Sequence, residues 1–157
     1  MTNLPPDLPH DLIEDLLGIA PDSPLGVLRR RRPEALRHAE GAFRELVLPE
    51  DPGGISRAER AALARHVAAR EGDAALAARY EALAGALDPS LRLDALLAYA
   101  EKVAMTPEAT TKADIDGLAA LGLSSRDIVA ATQLIAFVPY QVRMLAGLRA
   151  MQQEKAA

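Results

Sequence analysis

Apolar residues recur along this chain at three- and four-residue intervals, and proline, glycine and short polar residues cut the pattern into helical segments. Asp11 to Leu17 reads as a short amphipathic turn or two, entered after Pro9 and closed by Gly18. Ser23-Pro24 gives an N-cap followed by proline at the first helical position, opening LGVLRRR, and Pro33 opens PEALRHAEGAFRELVL in the same way. The segment PEDPGG, residues 49–54, is a loop by its Pro and Gly content. Ser56 and Glu59 have capping-box spacing at the start of the next helix, whose inner stripe is Leu63, Val67 and neighbouring alanines. Gly72-Asp73 breaks the pattern, and a second helix opens at Asp73.

Asp88-Pro89 is expected to start a further helix through LRLDALLAYAEKVA, with Leu93, Leu96, Leu97 and Ala100 at helical spacing and Thr106-Pro107 as its stop. Thr111 to Asp114 forms another N-terminal box, Gly122 a C-terminal stop, and Ser124 to Asp127 the start of a long helix to about Met151. Pro139 falls inside that helix and is expected to kink it or to end its first half. No strand pattern and no short-period repeat are visible. The pattern therefore predicts an all-α single domain over residues 23–152, preceded by a segment (1–22) with one short helix and followed by a short tail (153–157).

Composition sharpens this picture. Half of the 157 residues are apolar but only 3% are aromatic, so the core must be built from Leu, Ala, Val and Ile. The length is enough for one domain with a real core. A net charge of −4 gives no general attraction to nucleic acid or to an anionic membrane. No continuous apolar run approaches the roughly 20 residues that span a bilayer. The N-terminal stretch MTNLPPDLPHDLIEDL is acidic where a secretory signal would be basic, so a cytoplasmic protein is expected. With no cysteine, the chain has no intramolecular dithiol cycle of its own.

The hairpin ISRAERAALARHVAAREGDAALAARY, residues 55–80, nevertheless has the frame of a thiol site. It resembles the core of the alkylhydroperoxidase D and carboxymuconolactone decarboxylase superfamily. There the second helix starts with Cys-x-x-Cys, a His follows four residues later and a Glu lies twelve residues before. On that pattern the cysteine positions fall on Asp73 and Leu76, the His on Tyr80 and the Glu on Ala61. The stretch DIDGLAALGLSSRDIVAATQLIAFVPYQVRMLAGLRAM is similar to the closing helices of the peroxidase-related branch, which Gly122, Leu123, Ser124, Phe137, Tyr140 and Arg143 fit. Pro139 stands where many relatives carry Asn. The likeness covers roughly residues 25–150 and implies the alkylhydroperoxidase D-like helical fold. It also implies a homo-oligomer, a trimer or dimer of trimers, with a pocket near subunit contacts. A cysteine at a helix N-terminus attacks as a thiolate, and a carboxylate there cannot form a disulfide, so thiol peroxidase activity is not expected.

Two functions remain open. One is a binding protein that keeps the helical pocket for a small molecule or a partner. The other is a decarboxylase-branch enzyme acting on a small organic acid or lactone through acid–base groups. The candidates are Glu59, His66, Asp73 and Tyr80, spaced seven apart, which on one continuous helix would share a face. Each has a plainer role: Glu59 as capping-box partner of Ser56, His66 as a boundary histidine, Asp73 as an N-cap and Tyr80 as a core ring. His10, His38 and His66 sit in three elements without metal-ligand spacing, so no metal and no cofactor are expected. The run Arg29 to Arg32 could bind an anion, or be a solvated helix end whose charges favour the C-terminal dipole. No phosphate loop, nucleophile elbow or basic-aromatic stripe appears.

Overall fold

The computed structural model describes residues 11–153. His10, the rest of the first ten residues and the last four lie outside the described residues. The described chain forms α1 (Leu12–Leu17), α2 (Pro24–Arg30), α3 (Pro33–Leu46), α4 (Arg57–Arg70), α5 (Ala74–Ala84), α6 (Leu91–Met105), α7 (Lys112–Ala120) and α8 (Ser125–Gln153). One 3-10 turn, Pro107–Ala109, joins α6 to α7, and the described residues contain no strand. The all-α architecture is as the periodicity requires.

Caps define most helix starts. Asp11 caps α1, Ser23 caps α2 ahead of Pro24, and Ser56 with Glu59 forms the reciprocal box of α4. Thr111 and Asp114 form the box of α7. One expectation changes, and another is narrowed to one of its two branches. α6 starts at Leu91, not at Asp88-Pro89, because the Ser90 side chain accepts from the Leu93 N–H and the residue before a proline is pushed toward extended backbone. Pro139 does not end α8, which runs unbroken for 29 residues. Pro139 is buried, as are Ile135 and Val138 beside it, so packing offsets the backbone hydrogen bond that the ring removes.

α8 is the spine. Ile128, Ala131, Leu134, Ile135, Val138, Leu145 and Leu148 are buried along it, and α1, α3, α4, α6 and α7 all pack against it. Among the described residues it is the one helix long and apolar enough to cross a membrane, yet its apolar side is the centre of this core. α4 and α5 form an antiparallel hairpin whose close approach is allowed by small residues. Ala61, Ala62, Ala64 and Ala68 line the buried face of α4, and Ala84 meets Ala61 and Ala62 from α5. Each large side chain fully buried in this core, such as Leu63, Leu76, Leu96 or Leu134, contributes about 1.5–3 kcal/mol.

The loop before α4 is pinned by two buried charges. Arg60 donates to the carbonyls of Leu46, Pro52 and Ile55, each at 2.9 Å, so a guanidinium takes over the role of a backbone ladder. Asp127, at the start of α8, accepts from the Gly54 N–H at 2.8 Å and from the N–H and hydroxyl of Ser124 at 2.9 and 2.6 Å. A Cβ at Gly54 would stand 2.5 Å from the Asp127 Oδ2. Gly54→Ala should therefore displace that carboxylate and cost about 1–3 kcal/mol for the buried groups left unpaired. Gly117→Ala in α7, where a Cβ meets nothing within 4 Å, should stabilise by roughly 0.5–1 kcal/mol from helix propensity. Paired urea titrations check both, and a Gly54→Ala midpoint equal to wild type would refute the pinning.

Candidate functional site

The junction of α4 and α5 is the stretch that the sequence resemblance lays on a thiol pair. Gly72, at φ +85°, provides the left-handed turn that a side chain would strain, and Asp73 then caps α5 by accepting from the Leu76 N–H at 3.0 Å. The same carboxylate receives two hydrogen bonds from Arg149 near the end of α8, at 2.6 and 3.2 Å. Burial pushes the Asp73 carboxyl up, but the Arg149 and Leu76 donors outweigh it and hold the group below the ordinary carboxylate value. Leu76 and Ala61, on the second cysteine position and the Glu position, are fully buried apolar side chains.

Tyr80, on the histidine position, is also fully buried, and its hydroxyl donates to the Gln141 Oε1 of α8 at 2.5 Å. Burial raises its pKa well above that of a free phenol, against the opposing pull of Gln141. A neutral hydroxyl with one buried acceptor is a structural donor, not a base.

The remaining candidates have separate partners. Glu59 accepts from the Ser56 N–H at 2.8 Å and lies 3.5 Å from Arg92. His66 Nε2 meets the Glu101 carboxylate of α6 at 2.9 Å, and Arg70 meets the other oxygen of Glu101 at 2.7 Å. The His66 and Glu101 side chains are 28% and 36% exposed, which makes this a boundary pair open to water. Because α4 ends at Arg70 and α5 begins at Ala74, the four candidates are not on one continuous helix. No hydrogen bond or ion pair among the described residues joins any two of them.

Three other features were not legible in the spacing. Arg29 and Arg30 are not a solvated helix end: Arg29 pairs with Asp11 at 2.7 Å, and Arg30 makes a two-bond fork to the buried Glu14, 2.8 Å on each arm. The signal that could have found this is the acid pair on one face of α1, three residues apart, followed closely by a basic run. Arg149 and Gln141 carried no comparable signal, since their partners lie far away in sequence. Arg143, part of the family likeness, is 70% exposed and 3.9 Å from Glu71. Phe137 and Tyr140 stack with ring centroids 5.8 Å apart.

Open clefts lie elsewhere. One of about 470 Å³ runs between the end of α3 and the start of α8, past Asp51, Arg60 and Arg126. Another of about 380 Å³ lies between α6 and α7, past Tyr99, Lys102 and Asp114. A third, about 220 Å³, is lined by residues of α2, α3 and α8 together with Arg32. Glu59, His66, Asp73 and Tyr80 line none of these three. Among the described residues no group of three or more His, Asp or Glu side chains is arranged to hold a metal ion. The chain matches no family model and no curated protein, so any assignment rests on helix order and on these residues.

The Asp73 and Arg149 pair makes a specific pH prediction. A carboxyl held below its unfolded value of about 3.9 contributes stability that is present above that pH and lost as pH falls through the folded value. The stability difference between wild type and Asp73→Asn should therefore be constant from neutral pH down to about 5 and shrink below about 4. Asn retains the cap but not the ion pair, so at neutral pH it should fall between wild type and Asp73→Ala. The Ala variant loses the cap as well, worth about 0.5–2 kcal/mol. Denaturant titrations at several pH values check the order, and equal wild-type and Asp73→Ala stabilities would remove the cap.

Proposed function

We propose that this chain is a cysteine-free member of the alkylhydroperoxidase D and carboxymuconolactone decarboxylase superfamily that has no thiol peroxidase activity and acts as a helical, self-associating protein binding a small molecule or a partner. The observation that carries this reading is the start of α5. The helix–glycine turn–helix frame is kept there, while Asp73 is committed to a cap and to Arg149, Leu76 is core, and Tyr80 is committed to Gln141. The helix order, with a long closing helix that carries Phe137 and Tyr140, supports the same family.

The acid–base alternative needs two titratable groups converging on one concave place, one to give and one to take a proton. The dispersal of Glu59, His66, Asp73 and Tyr80 onto different partners weighs against it. Self-association is supported by apolar side chains left at the surface on several elements: Leu91 is 82% exposed, Val129 57% and Met151 46%.

Two measurements test the proposal. Purified, metal-free protein should consume hydroperoxide with a dithiol reductant no faster than buffer, because no sulfenate or disulfide can form on its side chains. Turnover above a heat-killed control would overturn the family's non-thiol reading. Light scattering at micromolar concentration should give a trimer or a dimer of trimers, and a monomer mass throughout would count against self-association.

A further inference from the structure

The cleft between α2, α3 and α8, about 220 Å³, is mostly apolar with a few polar groups at its edge. Leu28, Ala35, Leu36 and Met144 supply the apolar lining, and Arg29, Arg32 and Tyr140 the polar one. Arg29 is already neutralised, since it pairs with Asp11 and with Glu14 at 2.7 and 2.9 Å. Arg32 is not. Its side chain is exposed and makes no hydrogen bond or ion pair among the described residues. The Tyr140 hydroxyl likewise makes no hydrogen bond among them, although its ring is fixed by stacking on Phe137. Burial, helped by the nearby Asp11 carboxylate that Arg29 already pairs, holds that phenol above its ordinary pKa against the pull of Arg29, so it remains a neutral donor. Beside these two donors the apolar side chain of Leu28 is 47% exposed.

A guanidinium and a neutral hydroxyl that both lack acceptors among the described residues, lining the same small cleft as four apolar side chains, define their complement. An anion satisfies the donors, and a hydrocarbon body covers the rest. We propose that this cleft binds a small monocarboxylate, its oxygens on Arg32 and Tyr140 and a compact apolar body over Leu28, Leu36 and Met144. The size favours a compact body: the cleft is below the roughly 300–1,000 Å³ that drug-sized ligands occupy, so a dinucleotide or a long acyl chain would extend well beyond its lining. Inorganic anions would leave the apolar lining bare, and a neutral alcohol would leave the Arg32 charge without a counterion. This inference deepens the small-molecule side of the proposed function, on which it rests, but it uses none of the residues at the α4–α5 junction.

Calorimetric titration of the full chain with hexanoate, hexanol and acetate at low salt tests it, in wild type, Arg32→Gln and Tyr140→Phe. Both variants should melt with wild type, because both side chains stand outside the core. Hexanoate should bind saturably, one per chain. Its affinity should fall at least about tenfold in both Arg32→Gln and Tyr140→Phe, as expected for losing a hydrogen bond to a charged group. Hexanol and acetate should each bind at least about tenfold more weakly than hexanoate. No saturable hexanoate binding, wild-type affinity in Arg32→Gln, or equal binding of hexanol and hexanoate would each overturn the proposal. Hexanoate-induced amide shifts should centre on residues 28–36 and 140–144. Shifts confined to other residues would overturn this site and leave the broader binding reading standing, whereas dithiol-dependent peroxide turnover would remove that reading without touching the cleft.

Discussion

The seam that α8 offers the other helices contains two polar residues, and their partners fix its register. Asp127, Leu134, Gln141 and Leu148 recur at seven-residue spacing on its buried side. A helix sliding by one turn could keep most of its apolar contacts, because leucine on leucine is forgiving. It could not keep Asp127 on the Gly54 amide and Gln141 on the Tyr80 hydroxyl, and an unmatched buried polar group costs about 1–3 kcal/mol. The core supplies the attraction and these two hydrogen bonds choose among its alternatives. Pro139 lies between them, so the continuity of α8 through the proline is a requirement of both.

The sequence was most readable where structure is local. The boxes at Ser56–Glu59 and Thr111–Asp114, the cap at Asp73 and the Ser23-Pro24 and Pro33 starts were visible because capping is decided within four residues. The error at Asp88-Pro89 was of the same local kind, since two candidate starts stand side by side and Ser90 wins by its hydrogen bond. The candidate site was much less readable. Asp73 was recognisable as a cap and not as the partner of Arg149, 76 residues away, and Tyr80 as a core ring and not as the donor to Gln141. Nothing in a one-dimensional pattern pairs residues across such distances. The Arg29 to Arg32 run shows the same limit in one place, because Arg29 and Arg30 turn inward to acids of α1 while Arg32 stays at the surface.

The binding reading and the structure's charges are connected. A chain with few aromatics and no cysteine has limited means of making a specific interior, and here buried ion pairs supply much of the specificity. Glu14 with Arg30 and Asp11 with Arg29 hold the short first helix against α2. Six residues make too short a helix to be stable by itself, so its place depends on those pairs and on Leu12 and Ile13 in the core.

The Asp73 and Arg149 pair, read as mechanics, makes a clasp between the last turns of the closing helix and the first turn of α5. Gln152, three residues further on, donates to the Leu17 carbonyl at 3.1 Å, so the same helix end also holds the exit of α1. Helix ends ordinarily fray on their own, at little free-energy cost to the rest of a protein. Here fraying of α8 beyond Leu148 would release a capping carboxylate and a carbonyl on two distant helices at once. The Leu76 amide, buried in the middle of the chain, should then exchange its hydrogen in step with the chain's C-terminal turns.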